Sequence, residues 1–312
     1  MTIVQSSGAI SIQEINTEFG LGNNLNAYRG TTYWATNSTS GTFPATNISM
    51  WHFYTKAKNR PTFNIDYVVV AGGGAGGPGY PDNYGGGGGG GGGGMMKRGS
   101  IGIYYNIANT VTIGAGGVAS DTYTTSSTAG GSSGLTTSVG TQLTAYGGQP
   151  GHGAIDGNYN GGSSGDFLSA GGGYNTPGVS SAYMYSGGGG GGGVDDANSS
   201  APGGAGGIWN GFSFAGGGGG GSDYSVGGAG GAGGGGRGGS NVWGTDGTAN
   251  TGGGGGGGGS SGYWTPGGQG GSGIVVIRYP GSYALISGGS VQYISGYVYH
   301  TFTSNTTFTI YH

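Results

Sequence analysis

Tyr67-Val68-Val69-Val70-Ala71-Gly72-Gly73-Gly74-Ala75-Gly76-Gly77 leads from an apolar strand into glycine, and Gly273-Ile274-Val275-Val276-Ile277-Arg278-Tyr279 leads back out. Between them lie uninterrupted glycine runs at 85–94, 187–193, 216–221 and 252–259. Whether these runs are ordered decides the fold. Glycine supplies 90 of 312 residues, but without the strict three-residue repeat and high proline content of collagen. Glycine-rich sequence without such a period usually reads as linker. Disorder, however, goes with high charge and few aromatic residues. Here 6% of residues are charged, and 22 Tyr, 5 Trp and 9 Phe are present, so the composition favours an ordered body.

Polyglycine has an ordered form. It takes the left-handed polyproline II helix, at about 3.1 Å per residue, so a ten-residue run spans roughly 31 Å. Unlike proline, glycine keeps its N–H, and without a side chain neighbouring helices approach closely enough to hydrogen-bond. Fixing one backbone residue costs about 1–2 kcal/mol, most for glycine. An inter-helix hydrogen bond returns about 0.5–1.5 kcal/mol, and Cα–H contacts about 0.5–1 kcal/mol each. These terms nearly cancel. The Val/Ile strands at both ends and the aromatic residues must therefore supply the net stability.

The flanks read differently. Ser11 followed by Glu14 has capping-box spacing, Ile12, Ile15 and Phe19 share a helical face, and Gly20 suits the helix end. Ser49 is placed to cap a second short helix through Trp51, Phe53 and Tyr54 toward Lys56 and Lys58. Short amphipathic helices need something to dock on, so 1–60 reads as a connector and attachment module. Pro61 opens the body, 61–280. Strands are expected at 62–71, 101–105, 110–113 and 135–146. After Pro280, Thr- and Tyr-rich pieces at 282–287, 290–294, 296–303 and 306–311 read as a C-terminal β segment, 281–312. The expected class is mostly β and irregular: a body of packed polyglycine II helices with flanking strands, a short helical N-terminal module and a C-terminal β segment.

Several functions are excluded or weakened. The net charge of -3 provides no basic stripe for nucleic acid. Cysteine is absent, and the four histidines lack metal-site spacing. No stretch is long and apolar enough to insert in a membrane, and no signal peptide is visible. Residues 72–77 fit the dinucleotide fingerprint, but Pro78 and Pro81 prevent the helix it requires. Gly161-Gly162-Ser163-Ser164-Gly165 fits the nucleophile elbow, as do 130–134 and 258–262. Three matches in a Gly/Ser-rich chain indicate chance. Asp195-Asp196 reads as solvated, and the lone Arg237 is too little for an RNA-binding segment. No catalytic residue, metal or cofactor is expected, and the chain is not expected to be an enzyme.

Short segments bearing Tyr and Trp among Ser, Gly and Asn separate the glycine runs, a composition suited to binding loops. Tyr183, Tyr185, Trp209, Phe212, Trp243, Tyr263 and Trp264 are the candidate contacts. The same rings would also serve to cap a glycine bundle, and both readings stand at this point.

The segments 67–77, 110–117 and 273–279 resemble the glycine-rich domain of many bacteriophage tail-fibre and adhesin proteins. Ser11-Ile12-Gln13-Glu14-Ile15-Asn16-Thr17-Glu18-Phe19-Gly20, with Tyr28-Arg29-Gly30 and Phe53-Tyr54-Thr55-Lys56-Ala57, is similar to a module preceding such domains in phage virion proteins. Tyr299-His300-Thr301-Phe302-Thr303 with Phe308-Thr309-Ile310 resembles a short β-segment often found beside them. The resemblance extends to fibre-tip adhesins of some T-even-like phages, although the terminal modules here depart from theirs. It implies a virion protein exposed outside the cell, with a sandwich of polyglycine II helices displaying loops toward a host cell-surface protein or glycan. It further implies contacts with other tail proteins through 1–60 and a homo-oligomer. The alternative is a structural virion or filament subunit that assembles by strand pairing and reads no receptor. A virion protein released by lysis needs no signal peptide.

Overall fold

The computed structural model describes residues 9–311 apart from 37–38, 82–85, 121–126, 155–159, 166–177, 179–187, 192–199, 224 and 261. The protein is mostly β and irregular, with several small antiparallel sheets, none of which closes into a barrel among the described residues.

Helix α1 (Ile12–Phe19) starts as its sequence dictates. Ser11 Oγ accepts from the Glu14 amide at 3.2 Å, and the Ser11 amide donates to the Glu14 carboxylate at 2.7 Å. Gly20 ends it at φ +73°, where a side chain would be strained. The helix buries Ile15 and Phe19 against Tyr28, Phe43 and Phe53, and Phe19 meets each of those rings edge-on. Strands β1 (Thr32–Ala35), β2 (Ser40–Thr42) and β3 (Lys56–Ala57) form a small sheet in the order β2-β1-β3. The second expected helix is only a single 3-10 turn, Met50–Phe53. Tyr54 turns extended and Thr55 takes φ +58°, which swings Lys56 and Ala57 into the ladder against Ala35 and Trp34.

The main body contains β4 (Thr62–Val70), β5 (Met96–Tyr104), β6 (Asn109–Thr112), β7 (Ser133–Thr136), β8 (Gln142–Ala145), β9 (Gly207–Trp209) and β10 (Phe212–Phe214). Then come β11 (Ile274–Pro280), β12 (Ser290–Ile294), β13 (Tyr297–Phe302) and β14 (Thr306–Phe308). One sheet has the order β12-β13-β11-β4-β5, another β14-β6-β7-β8, and β9-β10 is a hairpin. The stretch expected as one strand over 135–146 is a β7–β8 hairpin, turned at Gly140 with φ +84°. The expected strand at 282–287 is reduced to an isolated bridge between Ile286 and Ile310.

Alternation along β4 and β11 explains their continuous apolar runs. Ile65, Tyr67 and Val69, with Val275, Ile277 and Tyr279, face the second sheet and its Val111, Leu135, Ala145 and Phe308. Val68, Val70, Ile274 and Val276 face the opposite way and pack with Trp209 and Phe214 of the hairpin. Both faces of the strand pair are covered, so both must be apolar.

The glycine segments continue from these strands as an array of extended helices. Segment 71–79 donates in rotation at N···O distances of 2.8–3.2 Å. Gly72 and Ala75 bond to 127–132, Gly73, Gly76 and Gly79 to 265–273, and Gly74 and Gly77 to 86–95. Its carbonyls accept from 146–154, from 252–260 and from Gly117. Every third residue meets the same neighbour, the signature of a helix with three residues per turn. Segments 86–95, 215–222 and 252–260 are enclosed in the same way, so these four interior segments stand in hexagonal packing inside a ring of outer ones. No described glycine within 71–79 or 86–95 has positive φ, and an extended helix of three residues per turn with negative φ is left-handed. Residues 72–77 thus belong to this array rather than to a nucleotide-binding turn. Ser163 likewise sits in an extended segment, its carbonyl accepting from the Gln149 amide, rather than at a strand–turn–helix elbow.

The outer segments show a period of three that the sequence reading missed. Val226, Ala229 and Ala232 are exposed, as are Ala115 and Val118, while the glycines between them face inward or sideways. In the interior, glycine at every position erases that signature.

Candidate functional site

Direction along the array defines two ends. Segments 71–79 and 252–260 run away from the sheets, and 86–95 and 265–273 return. Gly79 pairs with Thr265, Ser222 with Ser240, and Gly259 donates to Val242, so Asp223, Ser225, residues 241–243, Ser260 and residues 262–265 all meet at the end away from the sheets. The hairpin β9–β10 and residues 249–251 lie at the sheet end.

This arrangement divides the candidate residues. Tyr263 is 78% exposed and Trp243 68% exposed, both at the far end, joined there by Val242. Asn241 at φ +53° and Gly262 at φ +78° make the turns that present them. Trp264 is half-buried beside Tyr263, and its indole Nε1 is buried with no hydrogen-bond partner among the described residues. Thr265 anchors the following segment through its hydroxyl, which donates to the Gly259 carbonyl.

Trp209 and Phe212 are at the other end. Trp209 is 6% exposed and packs edge-on against Tyr299 at 6.1 Å. Phe212 also meets Tyr299, at 6.2 Å, and keeps part of its ring in solvent. Trp209 is thus taken up by the core, because the face of β4 and β11 needs an apolar cover. Arg278 links the sheet strands beneath the hairpin and reaches the hairpin itself through the Trp209 ring. Its Nε donates to Asp66 at 3.1 Å, Nη1 donates to the Tyr299 hydroxyl at 3.2 Å, and the guanidinium lies 4.3 Å from the Tyr297 ring centroid and 5.6 Å from that of Trp209. Arg98 adds a donor to the Ile208 carbonyl. Tyr183 and Tyr185 lie outside the described residues.

Sequence reading missed two residues at the far end. Val242 escaped because only the rings of its irregular Gly-flanked segment were taken as contacts, and Tyr80 because it borders the longest glycine run. Among the described residues there is no cluster of His, Asp and Glu suited to a metal. Nor, among them, is any helix long and apolar enough to cross a membrane.

Strands that feed a hexagonal glycine array, with turns at its far end carrying exposed rings, define a glycine-rich array fold. The family model for the glycine-rich domain matches residues 51–280, and the chain belongs to that family. None of the curated proteins compared with the chain matches it.

Proposed function

We propose that this protein is a phage tail-fibre adhesin, exposed on the virion, whose glycine array holds aromatic turns against a host cell-surface protein or glycan. The observation that carries this reading is the exposure of Tyr263 and Trp243 together at the end of the array away from the sheets. Large rings on short, anchored turns lose little entropy on contact, and the array fixes where those turns begin and end. Residues 1–60, whose described part leads into the start of β4, serve for attachment to other tail proteins. The role is binding, without a catalytic step or cofactor. A double replacement, Trp243→Ser with Tyr263→Ser, should slow phage adsorption at least tenfold while leaving the melting temperature of the purified protein unchanged. Unaltered adsorption overturns the reading.

A second reading, a structural subunit that assembles through strand pairing, is favoured by β12. This edge strand is exposed along its whole length, with Tyr293 at 59%, and carries neither charge nor proline to block a further strand. Sedimentation separates the two: an open-ended polymer that Tyr293→Lys dissolves supports the subunit, and a particle of defined size supports the adhesin.

A further inference from the structure

We infer that the N-terminal module carries a docking pocket for an acidic, proline-bearing extended segment of a partner protein. The pocket has a volume of about 520 Å³ and is lined by Tyr33, Phe43, Pro44, Trp51, His52 and Lys56 among others. Two stacked pairs form its walls. The Trp51 ring lies on His52 at 4.0 Å, and the Lys56 ammonium stands 4.7 Å from the centroid of the Tyr33 ring. Phe43 is buried beneath them in the module core.

The polar lining selects an anion. His52 Nδ1 is taken up by Ser49, whose amide donates to it at 3.1 Å and whose hydroxyl lies 2.9 Å away, which leaves Nε2 as the ring nitrogen for a ligand. Lys56 has no ion-pair partner among the described residues. The pocket lining contains neither carboxylate nor side-chain amide, so it has few groups to accept from the hydroxyls of a neutral sugar. Donors without matching acceptors call for a ligand rich in acceptors. The segment as a whole carries the same sign: Arg29, Lys56, Lys58 and Arg60 outnumber Glu14 and Glu18 in residues 1–60, within a chain of net charge -3. The apolar walls select the rest of the ligand. Aromatic grooves take polyproline II segments because prolines pack between rings and arrive already extended. The site therefore fits a proline flanked by Glu or Asp. Its occupancy does not depend on what the far end of the array binds.

The test uses the full chain and two synthetic peptides, acetyl-Pro-Pro-Glu-Pro-amide and its Lys counterpart, followed by NMR shifts of the Trp51 indole and Lys56. The Glu peptide should shift both signals and bind at least tenfold more tightly than the Lys peptide. Lys56→Glu should reverse that order, and Trp51→Ala should lower affinity at least tenfold. Both side chains lie outside the buried cluster of the module, so the fold should persist, as unchanged Phe19 and Phe53 signals would verify. Equal binding of the two peptides, or none at 10 mM (roughly the weak end for a single short motif), overturns the inference. It is overturned equally if only a uronic acid shifts the signals, or if they move solely on self-association of the chain.

Discussion

At Gly91 an added Cβ would stand 2.2 Å from the Gly74 carbonyl oxygen, and at Gly257 it would stand 1.9 Å from that of Gly88. Backbone on both sides leaves nothing soft to yield. Gly91→Ala should therefore lower stability by at least about 3 kcal/mol, the upper range for overpacking, read as a fall in melting temperature. Ala229→Ser, on an outward position, should stay within about 0.5 kcal/mol of the parent. His300 sets a second residue-scale expectation. It is fully buried; its Nδ1 donates to the Gly288 carbonyl at 2.9 Å, and Nε2 accepts from the Tyr279 hydroxyl at 3.1 Å. The Leu285 amide in turn donates to that hydroxyl at 2.7 Å, so the neutral imidazole is fully satisfied. Burial pushes its pKa below the usual histidine value, although the bond to Gly288 partly opposes this. The unfolded chain then binds the proton more readily. The contribution is complete above about pH 6.5 and falls by up to about 1.4 kcal/mol per pH unit as pH drops toward the folded pKa. Urea unfolding at pH 7.5, 6.5 and 5.5 should show this slope, and His300→Gln should flatten it. None of this was legible from the sequence, where a histidine among Tyr and Thr reads as one polar strand residue, whereas the capping box at Ser11 and Glu14 was, because it needs only local spacing.

At the scale of elements, Arg278 ties β11 to β4 through the Asp66 ion pair and to β13 through the Tyr297 and Tyr299 rings, and reaches the β9–β10 hairpin through the Trp209 ring. Arg278→Gln should remove about 1–3 kcal/mol, from a cation–π contribution of up to about 2 kcal/mol and a partly exposed ion pair of up to about 1 kcal/mol. Amide exchange across 207–214 should accelerate while β6 and β7 keep their protection. Strands were legible where residue type alone decided them: β4, β11 and β12 lie where β-branched and aromatic residues cluster. The β7–β8 turn was hidden because Ser138, Gly140 and Thr141 also suit a strand edge. The second helix failed because a helical face at Trp51 and Phe53 ends after a single turn, at Thr55. Among the candidate contacts, Trp209 and Trp243 sit in similar Gly-flanked contexts, yet one is buried and the other exposed. Their fates follow from the end of the array each segment reaches, which depends on the direction of every preceding segment.

At the scale of the whole molecule, the sheets seed the array. Strand β4 passes directly into 71–79, and 86–95 and 265–273 pass directly into β5 and β11, so ladder partners remain neighbours in the glycine packing. The sheet cores fix the spacing and phase that glycine alone has no side chains to specify, which answers the near-cancellation of its local terms. Amides of Gly88 to Gly94 donate to segments on different sides and are expected to exchange at least a thousandfold more slowly than in a free peptide. Exchange at the free-peptide rate would mean the array does not form. The polyglycine helix was legible from composition and chain physics, but its hexagonal arrangement was not, because identical residues carry no register. The three-residue turn also constrains how such a gene can drift. One glycine gained or lost in a run rotates everything after it by about 120° and misdirects every later donor, whereas a change of three adds or removes about 9 Å and restores the phase. Repetitive codons invite copying slips of both kinds, and surviving variants of this chain should differ in run length by multiples of three.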